Sequence, residues 1–211
     1  MRKRIAPQFI FLFGHRKQHG KDTCVQMVEE ILDKWNLTYQ SSYFAKMLKK
    51  QAAEKYGLDF DKMGVEEYKN SKPAHLNGLT VRDVLIKEGC GARAIWQNVW
   101  AYPVYKEIML SKKHVGIVSD FRYPNECGCF DECFDIINSS LKNKMEKPKI
   151  VKVLVHRPNG KFVNDGADDQ LPDLDPYWDF TIMNDDTTEN WKKNLDKQLK
   201  NMLELYFTGK R

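Results

Sequence analysis

The feature that most constrains this chain lies near its start. Gln8 to Phe13 is a continuous apolar run, the pattern of a strand buried on both faces. It passes through Gly14 and a short basic loop into Gly20-Lys21-Asp22-Thr23. From Lys21 to Trp35 the apolar residues Val25, Val28, Ile31 and Leu32 then recur at helical spacing. A buried strand that hands over to an amphipathic helix belongs to an alternating α/β architecture, in which helices cover both faces of a parallel sheet.

The rest of the chain keeps the alternation. Thr38 to Phe44 reads as a second strand and Ala45 to Tyr56 as a lysine-rich helix. Thr80 to Lys87 reads as a helix with Thr80 as its N-cap. Ala92 to Leu110 is largely helical in pattern, with Pro103 as the expected kink or break. His114 to Ser119, Ile150 to Val155 and Asp179 to Met183 are three further strands, and Thr187 to Phe207 is a closing amphipathic helix. Ser139 to Pro148 is polar and reads as a surface loop. The chain of 211 residues suits one domain, 1–211. The expected fold class is a three-layer αβα arrangement around a mainly parallel five-stranded sheet. In such sheets functional residues gather at the carboxyl ends of the strands.

Composition narrows the partners only modestly. Thirty-four Lys and Arg against 29 Asp and Glu leave a net charge of +5. That suits an anionic ligand, nucleotide and nucleic acid alike. The basic start, Met1-Arg2-Lys3-Arg4, precedes an apolar run too short for a signal sequence or membrane span, so no membrane association is expected. Five cysteines, an odd number in a chain of this size, point to a reduced, cytoplasmic protein. Cys127, Cys129 and Cys133 cluster without a fourth ligand at zinc spacing, and read as ordinary thiols.

The junction after the first strand carries chemistry. Gly20 lets backbone approach a phosphate without a Cβ clash. The helix beginning at Lys21 offers N–H groups and positive dipole potential to an anion. This is the context of a P-loop. Lys21 is placed to bridge β- and γ-phosphates, and Thr23 to bond a phosphate oxygen. Two departures matter. Five residues separate Gly14 from Gly20 instead of the usual four, and Asp22 follows the lysine where Ser or Thr usually stands. A carboxylate beside phosphates is costly unless a cation lies between them, so Asp22 is expected to meet Mg²⁺ directly or through water. His15 and His19 are read as lining the loop.

The order of motifs resembles that of phage deoxynucleoside monophosphate kinases. Gly20-Lys21-Asp22-Thr23 is similar to that family's Gly-Lys-Asp-Thr loop. Asp120-Phe121-Arg122-Tyr123-Pro124-Asn125-Glu126 resembles its Asp-x-Arg-Phe-Pro-Asn-Glu segment, and Phe44-Ala45-Lys46-Met47-Leu48-Lys49 its Phe-Ala-x-x-Leu-Lys stretch. Thr80-Val81-Arg82-Asp83 and Ala92-Arg93 through Trp100 are similar to its acceptor-side helices, and Asp179 to Asn184 to its final strand and following Asn. Asp168 to Pro172 follows the family's acidic stretch only loosely. The resemblance implies a P-loop kinase fold with a helical acceptor-binding insert at about 44–110 and a small lid at about 157–175. It implies transfer of the γ-phosphate of ATP, with Mg²⁺, to a deoxynucleoside monophosphate in the cytoplasm (the host's, if viral). Gly14, His19, Gly20, Lys21, Asp22, Thr23 and Asn184 then hold the donor nucleotide, Asn184 lying where adenine approaches. A homodimer is compatible with this reading.

The residue chemistry agrees with that implication. A phosphate monoester acceptor is already largely ionised near neutral pH, its second pKa being about 6. The reaction therefore needs fixed cations and alignment more than a general base. Arg122 at a strand end suits bidentate phosphate binding, and Arg157 at the start of the lid suits a clamp on the transferring phosphate. Lys46, Lys49, Arg82 and Arg93 are further acceptor-side candidates. Asp120 is expected to organise Mg²⁺ or contact the acceptor, Asn125 to bond its own backbone, and Glu126 to hold an arginine or a sugar hydroxyl. Trp96 and Trp100 are read as sharing a helix face; core packing is favoured, with Trp100 kept as a candidate for stacking on the base. Two other readings stand beside this one. A phosphomevalonate-kinase-like enzyme shares a basic loop with Gly-Lys-Asp. A nucleic-acid-binding P-loop ATPase is disfavoured by the missing basic module, so no nucleic acid is expected.

Overall fold

The structure is a computed structural model that describes residues 7–14, 18–158, 177–185, 187 and 189–208. Five strands form one sheet: β1 (Phe9–Gly14), β2 (Tyr39–Ser42), β3 (Val115–Phe121), β4 (Lys149–His156) and β5 (Phe180–Met183). They lie in the order β2-β3-β1-β4-β5, and every neighbouring pair is parallel. β1 is central because it is apolar on both faces, and alternate residues feed opposite layers.

Phe11 and Phe13 point into a core shared with α1 (Lys21–Lys34) and α8 (Trp191–Thr208), through Val28, Ile31, Leu199 and Leu203. Ile10 and Leu12 point the other way, into a core shared with α5 (Ala101–Leu110) and α7 (Phe130–Ser139), through Tyr105, Ile108, Phe130 and Phe134. The three-layer αβα class read from the sequence is the class observed. A third cluster stands apart from the sheet. Ala52 of α2 (Ala45–Tyr56), Leu58, Met63 and Leu76 pack on Val81 and Val84 of α4 (Val81–Ile95). The five-residue α3 (Glu66–Asn70) packs against this cluster through Tyr68.

Thr80 caps α4 as expected: its hydroxyl accepts the Asp83 N–H at 3.0 Å, and Asp83 accepts the Thr80 N–H at 2.9 Å. The break expected at Pro103 falls earlier. α4 ends at Ile95, its C-cap Trp96 has an extended backbone (φ −145°, ψ 111°), and α5 starts at Ala101. The carbonyl of Asn98 accepts the N–H groups of Ala101 and Tyr102, which founds the new helix. Pro103 sits in the first turn of α5, where a missing N–H costs no intrahelical bond. Trp96 and Trp100 therefore do not share a helix face. Three α-helices among the described residues lie where the sequence reading placed none, the short α3 and α6 (Pro124–Gly128) and the longer α7, and residues 140–148 form a loop that buries Met145.

The topology marks one edge of the sheet. The chain leaves β1 toward β2 on one side, whereas β4 leads to β5 on the other. The carboxyl ends of β1 and β4 thus flank a switch point, where such sheets bind ligands. No helix among the described residues is long and apolar enough to cross a membrane. The sheet also sets a packing limit. A Cβ at Gly116 would lie 2.4 Å from Ile108 Cγ2 and 3.1 Å from Ile10 Cγ1. Gly116→Ala is expected to destabilise the fold by about 1–3 kcal/mol in urea unfolding, because both neighbours are fully buried.

Candidate functional site

At the switch point β1 ends at Gly14. A Cβ there would meet Trp178 at 2.6 Å and Phe121 at 2.8 Å, so only glycine fits between these rings. The loop turns through Gln18 (φ 63°) and Gly20 (φ 90°), both left-handed. Gly20 is the N-cap of α1 and, being glycine, has no side chain with which to cap it. Lys21 is its first residue and is buried, at 7% exposure. Asp22 is exposed and Thr23 half-buried. Behind them burial pushes the Cys24 thiol up to about 12, opposed in part by the Lys21 charge. His15, expected to line the loop, lies outside the described residues.

The ends of β4 and β5 hold this loop from the side. The two strands are in register at His156 and Met183, so Arg157 and Asn184 emerge together. The Arg157 backbone N–H donates to His19 Nδ1 at 3.1 Å, and its guanidinium donates to the Gln18 carbonyl at 3.3 Å. A neutral His19 therefore carries its proton on Nε2. Asn184 Nδ2 donates to the His19 carbonyl at 2.9 Å, while its own N–H bonds the His156 carbonyl at 2.7 Å. His19 and Asn184 are both buried. Asn184, expected where adenine approaches, uses its side chain to tie down the loop. Its Oδ1 is buried without a hydrogen-bond partner, which costs about 1–3 kcal/mol. Residues 159–175 of the expected lid, including Asp168 to Pro172, lie outside the described residues.

The end of β3 supplies the second half of the site. Asp120 accepts the N–H of Phe44 at 2.6 Å and of Ala45 at 3.0 Å, and so caps α2. Burial pushes its carboxyl up, while those two N–H groups, Arg122 and Lys49 pull it back. Its two oxygens are thus engaged by backbone. Glu126, expected to hold an arginine or a sugar hydroxyl, is engaged by backbone. It is buried and accepts the backbone N–H of Arg122 at 2.8 Å and of Tyr123 at 3.0 Å, which fixes the turn that presents Arg122. Burial and the Asp120 charge push its carboxyl up to about 8. Asn125 donates to the Gln97 carbonyl at 3.2 Å, not to its own turn. The Arg93 guanidinium lies 4.5 Å from the centre of the Tyr123 ring.

Lys49 joins the two halves. Burial lowers its pKa; Asp120 and Asp22 oppose that shift, and the charges of Lys69 and Arg122 add to it. Its ammonium therefore lies within electrostatic reach of the α1 start and the β3 end together. Lys69 is a residue the sequence reading missed. It sits on α3, paired with Glu66, and nothing in the local pattern ties that short helix to the β3 end. Three candidates are drawn elsewhere. Lys46 pairs with Glu107 at 2.7 Å and Arg82 with Glu66 at 2.6 Å. Trp100 is buried, with its indole N–H on the Gly89 carbonyl at 3.2 Å, so its ring is packed inside and is not offered for stacking. Among the described residues no group of three or more His, Cys, Asp or Glu is arranged to hold a metal ion. A shallow pocket of about 520 Å³, lined by Asp33, Thr38, Tyr39 and Lys113, opens at the amino ends of β2 and β3, the edge opposite the loop.

No family model and no curated protein matches the chain. Among solved structures, the crystal structure of APE1195 is similar over 97% of this chain and 99% of its own, at 12% identity and a TM-score of 0.42. The hexameric APS kinase from Thiobacillus denitrificans is similar over 98% of this chain and 30% of its own, at 14% identity and a TM-score of 0.39. Likenesses this loose leave the reading to the chain's own residues.

The raised Glu126 carboxyl gives a pH signature. A carboxyl whose folded pKa exceeds its unfolded value binds its proton more tightly when folded. Its stabilising contribution is full below about 4.5 and is lost as pH rises through about 8. Glu126→Gln keeps an acceptor for both N–H groups and removes the charge. Urea unfolding of the wild type between these limits is expected to show stability falling with pH, and Glu126→Gln to lack that part of the slope.

Proposed function

We propose that this chain is an ATP-dependent phosphotransferase of the nucleoside-monophosphate-kinase type, acting on a deoxynucleoside monophosphate. The observation that carries the reading is the start of α1 at a left-handed glycine that has no side chain to cap it, with the buried Lys21 as its first residue. A helix end of this kind attracts phosphate through its N–H groups and dipole, and Lys21 adds a fixed positive charge for the β- and γ-phosphates.

The acceptor phosphate is assigned to Arg122 and Lys49. Arg122 rests on a turn fixed by Glu126, and Lys49 lies within reach of the loop. Bringing a dianion beside Lys49 and Arg122 offsets the repulsion between their charges, so binding energy and alignment come from the same contact. No base is assigned, because the acceptor oxygen needs none. Arg157 already touches the loop through Gln18 and stands beside the transferring phosphate in this reading. Oxygen donors suit Mg²⁺. The exposed Asp22 and the Thr23 hydroxyl fit its coordination or water shell, with Asp120 behind them in a mainly capping role. When bound, the ion neutralises charge on the donor phosphates.

The test is coupled ADP release with ATP, Mg²⁺ and each common deoxy- and ribonucleoside monophosphate, with phosphomevalonate as a further acceptor. Turnover is expected with at least one deoxynucleotide. Lys21→Ala and Arg122→Ala are each expected to lose about 100-fold or more in kcat/KM. Turnover with phosphomevalonate alone, or an unchanged Arg122→Ala, would overturn the acceptor assignment.

A further inference from the structure

We propose that Asn184 is a positioning residue that latches the phosphate loop in its ligand-ready shape, so that the end of β5 sets affinity for the triphosphate. The inference rests on reading that loop as a triphosphate site.

Three observations meet at this side chain. Its Nδ2 donates to the carbonyl of His19, the residue before the left-handed Gly20. That same nitrogen would lie 2.2 Å from a Cβ at Gly20, so the amide also walls the loop sterically. Its Oδ1 is the only buried side-chain polar atom without a partner among the described residues. A residue present for stability alone would not leave one end of its amide unpaired in the interior. The polar side chain is explained by its other end, which holds a loop carbonyl away from the anion's position and leaves the α1 N–H groups facing outward. Backbone already fixes Asn184 itself, through its N–H on the His156 carbonyl, so the latch is anchored to the sheet. Arg157 grips the same loop from β4, and the β4–β5 register makes the two contacts one unit.

Asn184→Leu keeps bulk against Gly20 and removes the hydrogen bond; Asn184→Ala removes both. The full chain is titrated with a non-hydrolysable ATP analogue and Mg²⁺, and amide exchange of Gly20 to Thr23 is followed in the ligand-free protein. Both variants are expected to bind the analogue about tenfold more weakly, with the KM for the acceptor unchanged. Loop amides are expected to exchange about tenfold faster, while the thermal midpoint stays near that of the wild type. Adding Gly20→Ala is expected to cost less affinity in the Asn184→Ala background than in the wild type, because the clash is gone while the unfavourable φ remains. Unchanged loop exchange and unchanged affinity in Asn184→Leu would overturn the latch. Absence of analogue binding by the wild type would instead sink the nucleotide reading, and the exchange comparison would still decide the latch.

Discussion

An α-helix whose N-cap is glycine gets no side-chain cap from that residue, and its first N–H groups must be met from elsewhere. α1 starts in this way, at a glycine whose left-handed backbone admits no Cβ on the side of Asn184. Much of the surrounding structure serves to fix that start. β1 delivers the chain to the switch point, Gly14 threads between Trp178 and Phe121, and the ends of β4 and β5 fix Gln18 and His19 through Arg157 and Asn184. The orphaned Oδ1 of Asn184 is a local cost of that arrangement.

The opposite wall of the site is organised by two carboxylates with different tasks. Asp120 and Glu126 both accept backbone N–H groups, and both are pushed up by burial. One starts α2, which carries Lys49; the other shapes the turn that carries Arg122. The acids position the elements that carry the cations. Such a division suits phosphoryl transfer, where fixed positive charge and alignment lower the barrier and proton abstraction contributes little. It also explains why Lys46 and Arg82, equally basic in sequence, stand outside the cluster: Glu107 and Glu66 neutralise them where they are.

The layers of the fold were legible because their causes are local. Apolar runs such as Gln8 to Phe13 can be satisfied only between two helical layers, and Thr80 with Asp83 spells a helix start in the chain itself. The apolar stripe Phe130, Cys133, Phe134, Ile137 is also helical in spacing, although the cysteines within it draw attention to metal chemistry first. The helix break was not legible, since it depends on Asn98 and Trp100 finding distant partners, Glu132 and the Gly89 carbonyl. Within the site, Lys21, Gly20 and Arg122 could be read from strand-end position alone. Asn184 could be located but not assigned its contact, because its reach to His19 is set by the register of β4 and β5. Lys69 had no signal, because only the packing of α3 against α4 brings it within electrostatic reach of Lys49.

The central claim is that the start of α1 grips a triphosphate. A crystal structure with Mg²⁺ and a non-hydrolysable ATP analogue tests it most directly. The account predicts the β-phosphate within hydrogen-bond distance of the first N–H groups of α1 and of the Lys21 ammonium. A nucleotide seated elsewhere on the molecule, with the start of α1 untouched, would contradict it.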